Sequence, residues 1–421
     1  MTTGAPEPTR LARRLGTFDA VVVGLGSMLG AGVFAAFSPA AAAAGEWLVA
    51  SVLVAATVAT ANALSSAQLA ARHPESGGAY AYGRRRLHPV AGYLAGWGFV
   101  VGKTASCAAM ALTFATYAAP EAARPVAIAA VVALTALNLL GVRKTLAATL
   151  AILAAVVAAL VLAAIAGWTG SRGPVASGAA AGTPTDLADV LRGASIMFFA
   201  FAGYARIATL GEEVRDPART IPRAVPVALG VALVAYVVVA GALLHATTPG
   251  AIAASETPLR DVADAHDTLA AAAWVVSLGA AVACLGVLLS LLAGVTRTVF
   301  AMAHDGELPA GRALAAVSTR SHVPHRAQVA TGLAVALVCL VVDVGEAIGF
   351  SAFCVLLYYA VANAAALRLA GSERRWPRWV SMYGLVACVA LAFLLPFATV
   401  RAGAGVLAVG LVVRAARSAF R

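Results

Sequence analysis

Apolar runs of about 20 residues recur along the whole chain, the length a helix needs to cross a bilayer. Polar or basic connectors separate them. The pattern predicts about twelve transmembrane helices: Asp19–Phe37, Trp47–Ala71, Val90–Tyr117, Pro125–Leu140, Leu146–Trp168, Gly193–Glu212, Pro222–Ala246, Ala270–Met302, Ala327–Val342, Glu346–Leu369, Val380–Thr399 and Gly403–Val413. The alternating period of a membrane barrel is absent. Met1 to Arg14 is polar and basic, with no small-residue cleavage site after the first apolar run, so that run reads as a retained helix. Thr169 to Leu191, rich in Gly, Ala, Ser and Pro, reads as a flexible connector. Asp216-Pro217 reads as an N-cap with proline at N1, opening a short surface helix.

Two spans are interrupted. The first holds Gly24, Gly26, Gly30 and Gly32, four glycines in nine residues, in Gly24-Leu25-Gly26-Ser27-Met28-Leu29-Gly30-Ala31-Gly32-Val33-Phe34. Glycine loses the most backbone entropy on ordering and weakens helix. The sixth holds Phe198-Phe199-Ala200-Phe201-Ala202-Gly203-Tyr204. The two lie five helices apart, so they cross in opposite directions, as an inverted repeat with a substrate near the midplane requires. Bare N–H groups at a half-helix start attract an anion, and bare carbonyls at a half-helix end attract a cation. A zwitterion with both groups on one carbon, an α-amino acid, suits the pair. Two plainer readings stand beside this one. Gly26 and Gly30 also form the GxxxG packing motif of membrane helices, and the aromatic cluster also suits a lipid-facing surface.

Composition sharpens the class. The chain is 61% hydrophobic and 12% charged, against about a quarter charged in an average chain. A net charge of +11 raises nucleic acid as a partner, but its distribution argues otherwise. With the N-terminus inside, 22 Lys/Arg fall in cytoplasmic segments and five outside: Arg124, Arg172, Arg192, Arg260 and Arg401. That asymmetry follows the positive-inside rule and places both termini in the cytoplasm. All nineteen acidic residues fall in loops or at helix ends, which argues against a carboxylate relay and against a carboxylate partner for a cationic side chain. The five cysteines lie in apolar runs without CxxC spacing, and no histidine pair has zinc spacing, so no metal site is expected. No cofactor is expected. No GxxxxGK[ST] occurs, which disfavours ATP-driven transport.

Three basic residues fall inside spans: Lys103, Arg206 and Arg297. Lys103 is mid-span, where an ammonium costs several kcal/mol unless paired, hydrated or deprotonated. It is expected to face a central cavity, replacing a coupling cation, carrying a proton or contacting an anionic substrate group; the plainer reading sets it nearer an interface. Arg206 is a second candidate, for substrate contact or for an inner gate with Glu212.

These stretches resemble the amino acid–polyamine–organocation (APC) family of permeases. Gly26 to Phe34 is similar to its first-helix signature. Pro74-Glu75-Ser76-Gly77-Gly78-Ala79-Tyr80 and Ala95-Gly96-Trp97 resemble the stretch after its second helix. Phe199 to Tyr204 with Glu212-Glu213-Val214-Arg215-Asp216-Pro217 and Ile221-Pro222-Arg223-Ala224 resembles its sixth helix and following loop. Ala301 to Pro309 resembles the end of its eighth. The resemblance implies a LeuT-like fold of five plus five inverted helices, with helices one and six discontinuous, and alternating access. It implies a substrate site at Ser27, Met28, Gly30, Ala31, Gly32, Phe199, Ala200, Phe201, Ala202, Gly203 and Tyr204. The carboxylate would meet N–H groups of Ala31 and Gly32, and the ammonium carbonyls of Met28, Phe199 and Ala202. Phe199 would be an aromatic lid, and Phe201 and Tyr204 would shape the side-chain pocket. The chain departs from the family at Ala205-Arg206, where many members carry an acid, and in its uncharged fifth helix, where some proton-coupled members carry lysine.

The expectation is therefore a multi-pass plasma-membrane transporter of an amino acid, neutral first, cationic or polyamine next, driven by H+ or Na+ if coupled. The organisation expected is a tail at 1–16, a transport core at 17–369 with repeats at 17–168 and 193–369, and two further helices at 370–421. A non-transporting sensor or subunit is the alternative. A membrane enzyme is not supported, because no nucleophile, metal site or carboxylate pair lies at membrane depth. The oligomeric state is unassigned.

Overall fold

In the computed structural model, residues 15–30, 32–73, 77–141, 145–170, 186–208, 210, 213–309, 311–318 and 323–419 are described. The N-terminal tail to Arg14, most of the connector after Thr169, Ala31 and Glu212 lie outside them. The chain is an all-α polytopic membrane protein. Its helices are α1 (Thr17–Met28), α2 (Gly32–Ala35), α3 (Phe37–Ala44), α4 (Leu48–Arg72), α5 (Ala79–Arg86), α6 (Pro89–Ala118), α7 (Ala123–Leu139), α8 (Leu146–Thr169), α9 (Leu187–Phe201), α10 (Ala205–Ala208), α11 (Pro217–Ala246), α12 (Pro249–Ala254), α13 (Pro258–Asp264), α14 (Ala273–His304), α15 (Gly311–Leu314), α16 (His325–Val341), α17 (Val344–Leu367), α18 (Arg378–Leu394) and α19 (Phe397–Ala419). Among the described residues, ten helical stretches are long and apolar enough to span a bilayer. α16 and α18, at 17 residues each, sit at the short limit of a spanning helix.

The caps explain where the helices begin. Thr145 accepts from Ala148 N–H at 3.1 Å to open α8, and Asp186 accepts from Asp189 N–H at 3.1 Å to open α9. Each satisfies one of the orphan donors of a first turn. Asp186 corrects the sixth span, which starts at Leu187, six residues before the expected Gly193. Asp216 does cap, with Pro217 at N1, but no separate surface helix forms: α11 runs unbroken to Ala246 through Pro222 and Pro226. Proline removes one ladder hydrogen bond, and in a membrane bundle neighbouring groups take up the loss. The second expected span also starts early, because the alanine-rich stretch after Phe37 is helical as α3. Gly45, at φ 53°, closes it, and a 3-10 turn at Gly45–Trp47 leads into α4. The acidic segment after Thr247, expected as a loop, carries α12 and α13.

α6 is the central strut, buried over most of its length against α14 and α17. Gly98 and Gly102 bring its backbone against Cys354 of α17, and Ser106 pairs with Ser351 at 2.6 Å. The outward faces of α8 and α16 expose Val157, Val161, Ile165, Leu333 and Leu337, the surface a lipid tail would cover.

The face of the bundle that carries the N-terminus is tied by charge. Tyr80 and Arg84 of α5 both bind the Asp305 carboxylate, and Glu307 sits 3.4 Å from Arg84 and 2.8 Å from Arg414. Burial, then the hydrogen bond to Asp305, pushes the Tyr80 hydroxyl well above its ordinary value. Arg86 holds Glu373 in a bidentate pair at 2.8 and 3.0 Å. The strand-like residue Leu15 pairs in parallel with Val214: Leu15 N–H donates to Glu213 C=O at 3.1 Å, and Arg215 N–H donates to Leu15 C=O at 3.0 Å.

Candidate substrate site

The two interruptions meet backbone to backbone. α1 ends at Met28 with Leu29 as its C-cap, and helix resumes at Gly32. α9 ends at Phe201, tightens into a 3-10 turn at Ala202–Tyr204, and continues as α10. The sixth helix is thus overwound at its break rather than unravelled. A Cβ built on Gly32 would lie 2.5 Å from the Ala200 Cα, and one built on Gly203 would lie 2.5 Å from the Ser27 carbonyl carbon. Only glycine allows that approach, from either side.

The other first-helix glycines pack outward against other partners. Gly24 meets Ile207 and Ala228, Gly26 meets Thr149 of α8, and Gly30 meets Val287 of α14. The packing role of Gly26 and Gly30 and the interruption of the helix therefore coexist. The glycines let this interrupted helix approach α8, α9, α10, α11 and α14 closely, and the break falls between the contacts with α14 and α9.

Two tyrosines that the sequence did not single out hold the junction. Tyr236 of α11, fully buried, donates its single O–H toward two carbonyls, Met28 at 2.6 Å and Ala200 at 3.0 Å. Tyr359 of α17 reaches the Ala202 carbonyl at 3.5 Å. The Phe199 carbonyl accepts from Ala202 N–H. The carbonyls expected to be bare are therefore already engaged: Met28 accepts from Tyr236, Phe199 from Ala202 N–H, and Ala202 from both Ala205 N–H and Tyr359. The signal that could have exposed Tyr236 was its own chemistry: a lone hydroxyl in the valine- and alanine-rich run of α11 must find a partner when buried.

The remaining candidates divide. Ser27 turns its hydroxyl back to Val23 C=O at 3.0 Å, in its own helix. Phe201 packs edge-on against Tyr236 at 4.8 Å, and Tyr204 lies 5.1 Å from Tyr359. Both rings are fully buried, wedged behind the junction, while Phe199 stays half-buried. Ala200 and Ala202 are buried in the contact itself. Ala31 falls outside the described residues.

Lys103 lies at the middle of α6 and is 9% exposed. Among the described residues its ammonium has no hydrogen-bond or ion-pair partner. Arg206 is half-buried in α10 and is partnered. A cavity of about 310 Å³ lies elsewhere, where α8 and α11 end, lined by Gly170, Thr247, Ser255, Asp261 and His266 among others.

Comparison with known proteins places this architecture. The amino acid permease family matches over residues 19–410. A Mycobacterium tuberculosis protein named an uncharacterized transporter is 52% identical over 413 residues, covering 97% of this chain and 92% of its own. A Mycobacterium bovis protein of the same description matches equally. An Arabidopsis thaliana protein named vacuolar cationic amino acid transporter 2 is 27% identical over 390 residues, covering 86% of this chain and 60% of its own. Glycine-broken first helix, tightened sixth helix and the match across nearly the whole length agree, and the chain belongs to the amino acid permease family.

Proposed function

We propose that this permease moves a neutral α-amino acid across the plasma membrane by alternating access, in a LeuT-like arrangement of inverted five-helix repeats with the N- and C-termini in the cytoplasm. The reading rests on one observation: both interruptions bring main chain together at one point, where Gly32 meets Ala200 and Gly203 meets Ser27. A substrate ammonium takes a carbonyl at that junction as a second partner, as at Met28 beside Tyr236. The substrate carboxylate takes N–H groups of Ala31 and Gly32, where helix resumes at Gly32. No ionisable side chain is then needed for the head group, which agrees with carboxylates confined to loops and helix ends. The basic bias of the connectors supports the orientation.

A cationic substrate is the second reading, favoured by the names of the Arabidopsis relatives. Against it stands the lack of an acid beside the sixth-helix break, where Ala205 and Arg206 follow Tyr204. The test is uptake of labelled L-alanine, L-leucine and L-arginine into proteoliposomes holding the full chain, with and without sodium and with and without a proton gradient. Accumulation of a neutral amino acid above empty liposomes supports the reading. Binding without accumulation favours a sensor, and arginine alone favours the second reading.

A further inference from the structure

Lys103 is a buried amine with no hydrogen-bond or ion-pair partner among the described residues. The flanks of its helix show which way it faces. Phe99, one turn earlier, packs on Tyr358 at 5.2 Å; Tyr358 packs on Tyr359, whose hydroxyl reaches the sixth-helix break at Ala202. Tyr117, two heptads later, packs edge-on at 5.8 Å against Phe34, just past the first-helix break. At about 100° per residue Phe99 and Tyr117, 18 residues apart, lie on one line of α6, and Lys103 lies about 40° round from it. That line meets Phe34, just past the first-helix break, and leads through Tyr358 and Tyr359 to the sixth-helix break at Ala202.

We propose that Lys103 is a charge filter: it excludes amino acids with a cationic side chain and admits those without one. The inference rests on the transport reading above and names what that site refuses. Like charges in a low-dielectric interior repel over distances that water would screen. An arginine or lysine substrate held by its head group at the breaks would bring a second cation toward an ammonium that has no counter-ion among the described residues. The chain's carboxylates, at helix ends and in loops, do not relieve that repulsion.

The experiment compares the full chain, Lys103→Met and Lys103→Arg in proteoliposomes, measuring the ratio of L-arginine uptake to uptake of the best-carried neutral amino acid. Methionine keeps the length of the side chain without its charge; arginine keeps the charge. The wild-type ratio is expected to be low. Lys103→Met should raise it at least about tenfold, the scale expected of a like-charge contact inside a protein, while Lys103→Arg leaves it low. Lys103→Gln serves if the methionine variant is not monodisperse. Neutral uptake with arginine carried equally well by wild type, or a ratio unmoved by Lys103→Met and Lys103→Gln, overturns the filter and leaves the transport reading intact. Absence of uptake of every amino acid overturns the transport reading, and the filter falls with it.

Discussion

The hydroxyl of Tyr236 donates to the carbonyl of Met28 at 2.6 Å, at the point where the first helix ends, and reaches Ala200 C=O at 3.0 Å from the same position. One side chain of α11 therefore pins both interrupted helices. Tyr236→Phe keeps the ring packing against Phe201 and Phe37 and removes only the donor. Leaving buried carbonyls without a partner costs about 1–3 kcal/mol. A lowered thermal midpoint of the detergent-solubilised protein, together with reduced uptake, is expected; an unchanged midpoint would mean the junction holds without the bridge.

Among the described glycines, Gly203 and Gly32 come nearest to another segment's main chain. Gly203→Ala places a methyl group against the Ser27 carbonyl and the Met28 amide, both backbone and unable to swing aside. Overpacking of this kind costs about 1–3 kcal/mol. Gly230→Ala, in α11 with nothing within 4 Å of the added carbon, is the control and should change stability by no more than about 0.5 kcal/mol. Parallel unfolding curves for the three proteins check the contrast.

On the N-terminal face, Glu307 joins α5 and α19 through Arg84 and Arg414. Its side chain is only 9% exposed, so the pair is shielded more than a surface bridge. A double-mutant cycle of Glu307→Gln with Arg414→Met should show a coupling of about 0.5–3 kcal/mol. Additive losses would show that α19 is held beside Glu307 by packing alone.

Arg86, through two hydrogen bonds, and the Ala370 N–H hold the Glu373 carboxyl down at about 2, against an ordinary 4.5. A depressed carboxyl stabilises the fold above its unfolded value, and that contribution fades as pH falls toward the folded one. The difference in thermal midpoint between wild type and Glu373→Gln should be constant above pH 4.5, shrink below it, and close near pH 2. A gap that persists at the acid end would assign the effect to shape rather than charge.

Much of this was legible from the chain alone. The apolar runs mark the helices because a bilayer accepts little else, and the glycines of the first helix and the aromatic cluster of the sixth mark the breaks. Helix starts were less legible. Asp186 lies inside a stretch whose composition reads as linker, and its capping role shows only once Asp189 N–H is beside it. Alanines 40–44 read as a connector by their place between two apolar runs, yet they pack as helix against α9. The ring contacts of Phe201 with Tyr236 and of Tyr204 with Tyr359 were not legible either, because those partners come from helices far along the chain. Lys103 was visible as an anomaly of charge; that no described residue pairs with it is a property of the packed bundle.

The short pairing of Leu15 with Val214 carries a mechanical corollary. It ties the entrance of α1 to the segment between α10 and α11 by two peptide hydrogen bonds. Above it, Tyr236 ties the end of α1 to α9, and Gly203 sets the 3-10 turn of the sixth helix against Ser27. A lever fastened at its tip and at its pivot swings as one piece, so the inner halves of the first and sixth helices should travel together or not at all.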